Sequence, residues 1–283
     1  MYERDLSFAF GDSFLSVRET SSRSEDSNMD LVFLHGRFSD SMMWETLGKA
    51  LSQQFRCWFV DLPGFGRSFC SSERGLSSRE LTELTWKLLS RLMPAERRFF
   101  MIGHDMGGTL AQLCALRKHE ASTPLLEGLI LLSPVPITES IRSGITVLGW
   151  IVENKLKRAV QANRHLTHAD RAMLLSPWRT RGLKRNLLRS IRAFEAHPHA
   201  EGGEANASLD IPSLVLWGGR DRLNPVENAR AVLSRFSEAD YFQNDECGHW
   251  PCLENHEWVL AKVQEFLFRT CHSVYPLGHS ASA

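Results

Sequence analysis

The chain has no net charge to offer, because 33 Lys and Arg are matched by 33 Asp and Glu over 283 residues, and this removes any global pull toward nucleic acid or an anionic membrane. No apolar run approaches the ~20 residues of a membrane span, and the start, Met1-Tyr2-Glu3-Arg4-Asp5, lacks the basic opening and apolar block of a signal peptide. These absences predict a cytoplasmic protein that binds neither nucleic acid nor membrane; the oligomeric state stays open. The six cysteines have no paired spacing, which predicts reduced thiols, and Cys247 and Cys252 match no common metal site, so no metal is expected there. Tyrosine is scarce: only Tyr2, Tyr241 and Tyr275 occur.

What is present is an ordinary 43% of hydrophobic residues in a chain long enough for one large core. Strand-length apolar runs, Leu31-Val32-Phe33-Leu34, Arg56 to Val60, Phe99 to Ile102, Leu129 to Leu132 and Ser213 to Trp217, alternate with helical patterns such as Asp40 to Ser52 and Ser78 to Met93. The alternation predicts a mostly parallel sheet covered on both faces by helices, preceded by two short strands in Ser7 to Glu19. Between 137 and 206 the rhythm stops and the pattern is helical. The expected organisation is a core of residues 1–136 and 207–270, a helical cap of 137–206 above the carboxyl ends of the strands, and a poorly ordered tail of 271–283.

One stretch carries the chemistry. The run Phe99 to Ile102 breaks into Gly103-His104-Asp105-Met106-Gly107-Gly108 and restarts as a helix at Thr109. The spacing is that of a nucleophile elbow, Gly-x-Ser-x-Gly, with Asp105 in place of serine. The glycines let strand and helix approach at a turn that holds one side chain at its apex. A buried structural aspartate at a helix start is the ordinary alternative. Later loops supply partners: Asp221 follows the strand ending in Trp217, and His249 lies in Glu246-Cys247-Gly248-His249-Trp250-Pro251 before the last helix. A nucleophile, an acid and a histidine in that chain order form the set needed to attack, to orient a base and to activate water.

Together with His35-Gly36 and the loop Asp61-Leu62-Pro63-Gly64-Phe65-Gly66-Arg67-Ser68, these motifs resemble the α/β-hydrolase superfamily, over nearly the whole chain outside the cap. Within it, an aspartate nucleophile resembles the epoxide hydrolase and haloalkane dehalogenase branch. The resemblance implies an α/β-hydrolase fold, a catalytic set of Asp105, Asp221 and His249, and an oxyanion hole from the backbone amides of Arg37 and Met106. It implies a cofactor-independent reaction through an alkyl ester on Asp105, with an epoxide or organohalide as substrate. Two alternatives stand beside it: ester, C–C bond or lyase-like chemistry with Asp105 as general base, and a non-catalytic ligand-binding member of the fold.

Other residues have weaker claims. Phe38, Trp150, Trp178 and Trp250 are candidates for the substrate pocket, Trp150 and Trp178 as indole N–H donors to a leaving group. The cap histidines His165, His168, His197 and His199 are candidate acids, with packing or a solvated surface as the ordinary reading of each. His35 and the loop 62–68 read as structural. Eleven Lys and Arg against Glu153 and Asp170 make the segment from Glu153 to Arg192 basic, a solvated face or a lid that steers an anionic substrate. Arg37 is a candidate receptor for a substrate carboxylate.

Overall fold

The computed structural model describes residues 3–11, 13–20, 29–117, 123–137, 149–195 and 207–274. Strands β1 (Arg4–Phe10) and β2 (Ser13–Thr20) form an antiparallel hairpin, and β2 pairs antiparallel with β4 (Arg56–Val60). From β4 the sheet continues through β3 (Met29–Leu34), β6 (Arg98–His104), β7 (Leu125–Leu132), β8 (Ser213–Gly218) and β9 (Asp240–Asn244), every neighbouring pair parallel. The short β5 (Phe69–Cys70) pairs with β2.

Continuous apolar runs were expected to be strands buried on both faces. Leu31 to Leu34, Phe99 to Ile102, Leu129 to Leu132 and Leu214 to Trp217 are all fully buried. Helices α1 (Glu45–Leu51), α2 (Ser78–Leu92), α3 (Met106–Leu116), α7 (Ala229–Leu233), α8 (Pro251–Glu254) and α9 (His256–Val274) accompany these strands. Helix α2 starts where a capping box fixes it: the Ser77 hydroxyl accepts from the Glu80 N–H, and the Glu80 carboxylate accepts from the Ser77 N–H. The α/β-hydrolase fold expected from the motifs is thus the one observed. No helix among the described residues is long and apolar enough to cross a membrane.

Three boundaries differ from the sequence reading. The helix from Asp40 divides into a 3-10 turn at Ser41–Trp44 and α1, because the Asp40 carboxylate caps the Met42 N–H at the start of the turn. Strand β7 begins four residues earlier than its apolar run, since Leu125 and Leu126 extend the parallel register with Arg98 and Phe99. Helix α9 runs through Cys271 to Val274, so an irregular tail cannot start at 271; residues 275–283 lie outside the described part. In the cap segment, α4 (Gly149–Ala162), α5 (His168–Leu175) and α6 (Arg181–Glu195) are helical with no strand among the described residues.

The sheet order places the site. From β3 the chain moves to one side for β4 and then crosses to the other side for β6, so β3 and β6 are adjacent with their following loops diverging. In an open parallel sheet this switch point leaves a crevice at the carboxyl ends of the strands. Arg37 follows β3 and Asp105 follows β6.

Candidate active site

Asp105 sits at the apex between β6 and α3 with φ 51° and ψ −116°, a left-handed conformation that a non-glycine residue adopts at a cost of about 1–3 kcal/mol. Its neighbours have no room for side chains. A Cβ on Gly103 would stand 2.5 Å from the Gly107 carbonyl oxygen, and one on Gly107 would stand 2.6 Å from the His35 carbonyl oxygen and closer still to that of Leu34. The elbow is locked by its backbone: the Asp105 N–H donates to Leu132 O, and the N–H groups of Thr109 and Val135 donate to Asp105 O.

The Asp105 carboxylate is fully buried and held by Arg37 at three points. The Arg37 backbone N–H and Nε donate to Oδ1 at 3.0 and 2.8 Å, and Nη2 donates to Oδ2 at 2.8 Å. Burial alone would favour the neutral acid, but the charge and hydrogen bonds of the guanidinium outweigh it and hold the carboxyl well below the usual carboxylate range. Asp105 is therefore ionised. Arg37 Nη1 donates in turn to Glu195 Oε1, 2.8 Å away, at the last residue of α6.

His249 approaches from the other side. Its Nδ1 donates to Asp221 Oδ2 at 2.8 Å, and its Nε2 lies 3.6 Å from Asp105 Oδ2 with no hydrogen-bond partner among the described residues. Asp221 is fixed because its Oδ1 accepts from the backbone N–H groups of Leu223 and Asn224, at 2.9 and 2.8 Å. With both Asp221 oxygens engaged, the proton of neutral His249 stays on Nδ1 and the lone pair of Nε2 faces Asp105. Burial lowers the affinity of the ring for a proton, but Asp221 and then Asp105 outweigh it, so the His249 pKa is raised.

Sequence reasoning missed three supports. His104, next to Asp105, presents Nε2 to the His249 carbonyl oxygen at 2.7 Å and its ring edge-on to that imidazole. A carbonyl only accepts, so His104 Nε2 carries the proton; burial and the neighbouring His249 push its pKa down to about 4, and it is neutral. Asn224 ties the acid loop to the end of β7 through Ser133 O and Pro134 O, at 2.9 and 3.0 Å. Glu254, in α8, accepts from the N–H groups of Gly248 and Trp250 on both sides of His249. The Gly103-His104-Asp105 string was the only local signal for any of these.

The weaker candidates divide. Trp250 stacks edge-on against His249 with ring centroids 5.1 Å apart, and Phe38 stands 6.5 Å from His249 and 6.4 Å from Trp178. Trp178 and Trp250 are buried, and neither indole N–H has an acceptor among the described residues. Trp150 lies in the first turn of α4, and its side chain falls outside the described part, as do His197 and His199. His165 and His168 are exposed; His165 shares a cleft of about 170 Å³ with Asn163, Arg220, His249 and Trp250. His35 is structural, its Nε2 accepting from the Leu62 N–H. Met106 is buried at the start of α3, where first-turn N–H groups lack helical partners.

One expectation needs correcting. The carboxylates that Arg37 binds are the protein's own, Asp105 and Glu195, which leaves its charge already matched. Among the basic side chains of the cap segment, Arg181, Lys184, Arg185, Arg189 and Arg192 of α6 line a groove with Glu73 and Arg74. Among the described residues no cluster of three metal-ligating side chains forms.

The profile of the alpha/beta hydrolase family matches residues 31–262. A pimeloyl-[acyl-carrier protein] methyl ester esterase of Aliivibrio fischeri is 22% identical over 87% of this chain and 96% of its own length. A 2-hydroxy-6-oxononadienedioate/2-hydroxy-6-oxononatrienedioate hydrolase of Burkholderia vietnamiensis is 23% identical over 86% and 88%. Among solved structures, the ligand-free epoxide hydrolase CorEH superposes with a TM-score of 0.74 at 19% identity, over 94% of this chain and 99% of that one. Elbow, acid loop and histidine loop all fall within the matched span, and the chain belongs to the alpha/beta hydrolase family.

Proposed function

We propose that the protein is a cofactor-independent hydrolase in which Asp105 attacks an sp³ carbon of a small epoxide or organohalide. The observation that carries this reading is a buried carboxylate at the elbow apex, paired with Arg37, with a histidine nitrogen that has no hydrogen-bond partner among the described residues 3.6 Å from one of its oxygens. The two oxygens are unequal. Oδ1 accepts from both the backbone and Nε of Arg37, whereas Oδ2 accepts only from Nη2 and faces His249. Oδ2 is the nucleophile: its lone pair forms the C–O bond as the carbon–halogen or epoxide C–O bond breaks, with the electron pair leaving on the halide or epoxide oxygen. Phe38, Trp178 and Trp250 wall the reacting carbon, and the Trp178 indole N–H donates to the leaving group.

In the second step His249 Nε2 takes a proton from water, whose oxygen adds to Cγ of the ester. Negative charge then develops on Oδ1, where the Arg37 N–H already points and where the Met106 N–H completes the hole. Collapse expels the product alkoxide with the former Oδ2, the proton on His249 passes to it, and the acid proton left on Asp105 goes to the epoxide-derived alkoxide or, with a halide, to solvent, which restores the carboxylate. Asp221 holds the imidazole and stabilises its charged form. A cytoplasmic small-molecule hydrolase is the setting this chemistry suits.

A second reading takes support from the esterase and C–C hydrolase among the relatives. In it Asp105 orients or deprotonates water and never becomes alkylated. A panel of epoxides, haloalkanes, haloacids and aryl esters, followed by pH change, separates the two. The first reading expects turnover of epoxides or organohalides. Turnover confined to aryl esters contradicts it.

A further inference from the structure

We propose that Glu195 is a positioning residue of the nucleophile, acting through Arg37 and resting on the reading of Asp105 as the attacking group. Glu195 belongs to the cap and Asp105 to the core, and a single guanidinium joins them with donors 2.8 Å from each carboxylate. All three groups are nearly removed from water, with side-chain exposures of 8% for Glu195, 6% for Arg37 and 0% for Asp105. Screening is weak there, so a charge at Glu195 is felt at the nucleophile.

The arrangement answers a difficulty in the chemistry. A carboxylate oxygen in a tight ion pair is a poor nucleophile, because its lone pair is stabilised where it lies. Oδ2 must shed its bond to Arg37 Nη2 before or while it attacks. With Glu195 bound at Nη1, the guanidinium has a second carboxylate to satisfy it, and part of its field is spent away from Asp105. Arg37 can then turn about its remaining contacts to Oδ1 and Glu195, keeping the oxyanion donor in place while Oδ2 is released. Without Glu195 the whole charge of Arg37 falls on Asp105, and attack slows. Because Glu195 ends α6, release of the nucleophile is coupled to the seating of that cap helix on the core.

The test reads alkylation of Asp105 directly. In a His249→Gln background, where water is not activated and an ester persists, the protein is exposed to styrene oxide and to 1-bromobutane, and adduct growth on the Asp105 peptide is timed by mass spectrometry. Adding Glu195→Gln slows adduct formation about tenfold, while Glu195→Asp, which keeps the charge, recovers at least a third of the parental rate; circular dichroism and the melting temperature confirm the fold of each. Within an Arg37→Gln background, Glu195→Gln produces no further slowing, since its route to Asp105 is already cut. An unchanged or faster rate in Glu195→Gln overturns the proposal, as does an equal loss in both backgrounds, which a merely structural role would give. An adduct on neither parent nor variants removes the nucleophile reading itself, and the proposal falls with it.

Discussion

Arg37 Nη2 stands 2.8 Å from Asp105 Oδ2 in a pair with almost no access to water. The pair follows from topology: the loops after β3 and β6 leave the sheet at its switch point, and a long cationic side chain after His35-Gly36 has the elbow carboxylate within reach. The ion pair keeps Asp105 charged in a site that would otherwise neutralise it, and this frames the predictions.

Arg37→Met leaves Asp105 and Glu195 as buried carboxylates without their shared cation. Breaking a buried pair in this way costs about 3–5 kcal/mol. Urea unfolding at neutral pH is expected to show that loss. The deficit should shrink as the pH falls, because Asp105, no longer held in its ionised form, takes up a proton.

The pH dependence of turnover follows from His249. Its pKa is raised above 6.5 by Asp221, and it acts as a base only when neutral. Hydrolysis of the proposed ester should therefore rise tenfold per pH unit up to the His249 midpoint and then level off, with that midpoint lower in the ester, where Asp105 carries no charge, than in the free protein. Asp105, held far below the usual range, adds no acidic limb in the measurable region. The same shift sets stability with the opposite sense: protonated His249 stabilises the fold below 6.5, and that contribution disappears as the pH rises through the raised value.

Asp221→Asn removes the charge that favours imidazolium while keeping an oxygen for the Leu223 and Asn224 N–H groups. The expected result is a kcat lower by about 10²–10⁴, and a kinetic midpoint shifted down. A loss of rate without that shift would argue against Asp221 as the partner of His249.

Gly107→Ala forces a Cβ against the carbonyls of Leu34 and His35, backbone that cannot rotate aside. We expect about 1–3 kcal/mol of destabilisation in urea. Displacement of the loop bearing Arg37 adds a loss of activity in the folded fraction.

Much of this site was legible because the fold writes it locally. Asp105, Asp221 and Gly248-His249 follow strand ends, so their order along the chain already implies their convergence. The buried sheet was equally plain from apolar runs such as Leu31 to Leu34. Glu195 was not legible. It is one acid at the end of a basic helix, and only the seating of α6 on the core brings it to Arg37. Arg37 was half legible: its backbone N–H was expected at the site and its side chain as a receptor for a substrate carboxylate, but that the side chain would pair with the elbow carboxylate after the neighbouring strand has no sequence periodicity. The basic cap segment stayed open between a solvated face and a lid because charge density in sequence does not say which face it occupies; in the structure five cations of α6 share a groove with Glu73 and Arg74.

The central claim is that Asp105 becomes covalently bonded during turnover, and the direct measurement is a single turnover in heavy-oxygen water with any epoxide or organohalide the enzyme consumes. Water attacking Cγ must leave its oxygen on Asp105, while the product departs with the aspartate's original oxygen. Heavy oxygen is expected in the Asp105 peptide and none in the first-turnover product. Heavy oxygen in the product with an unlabelled Asp105 would contradict that claim.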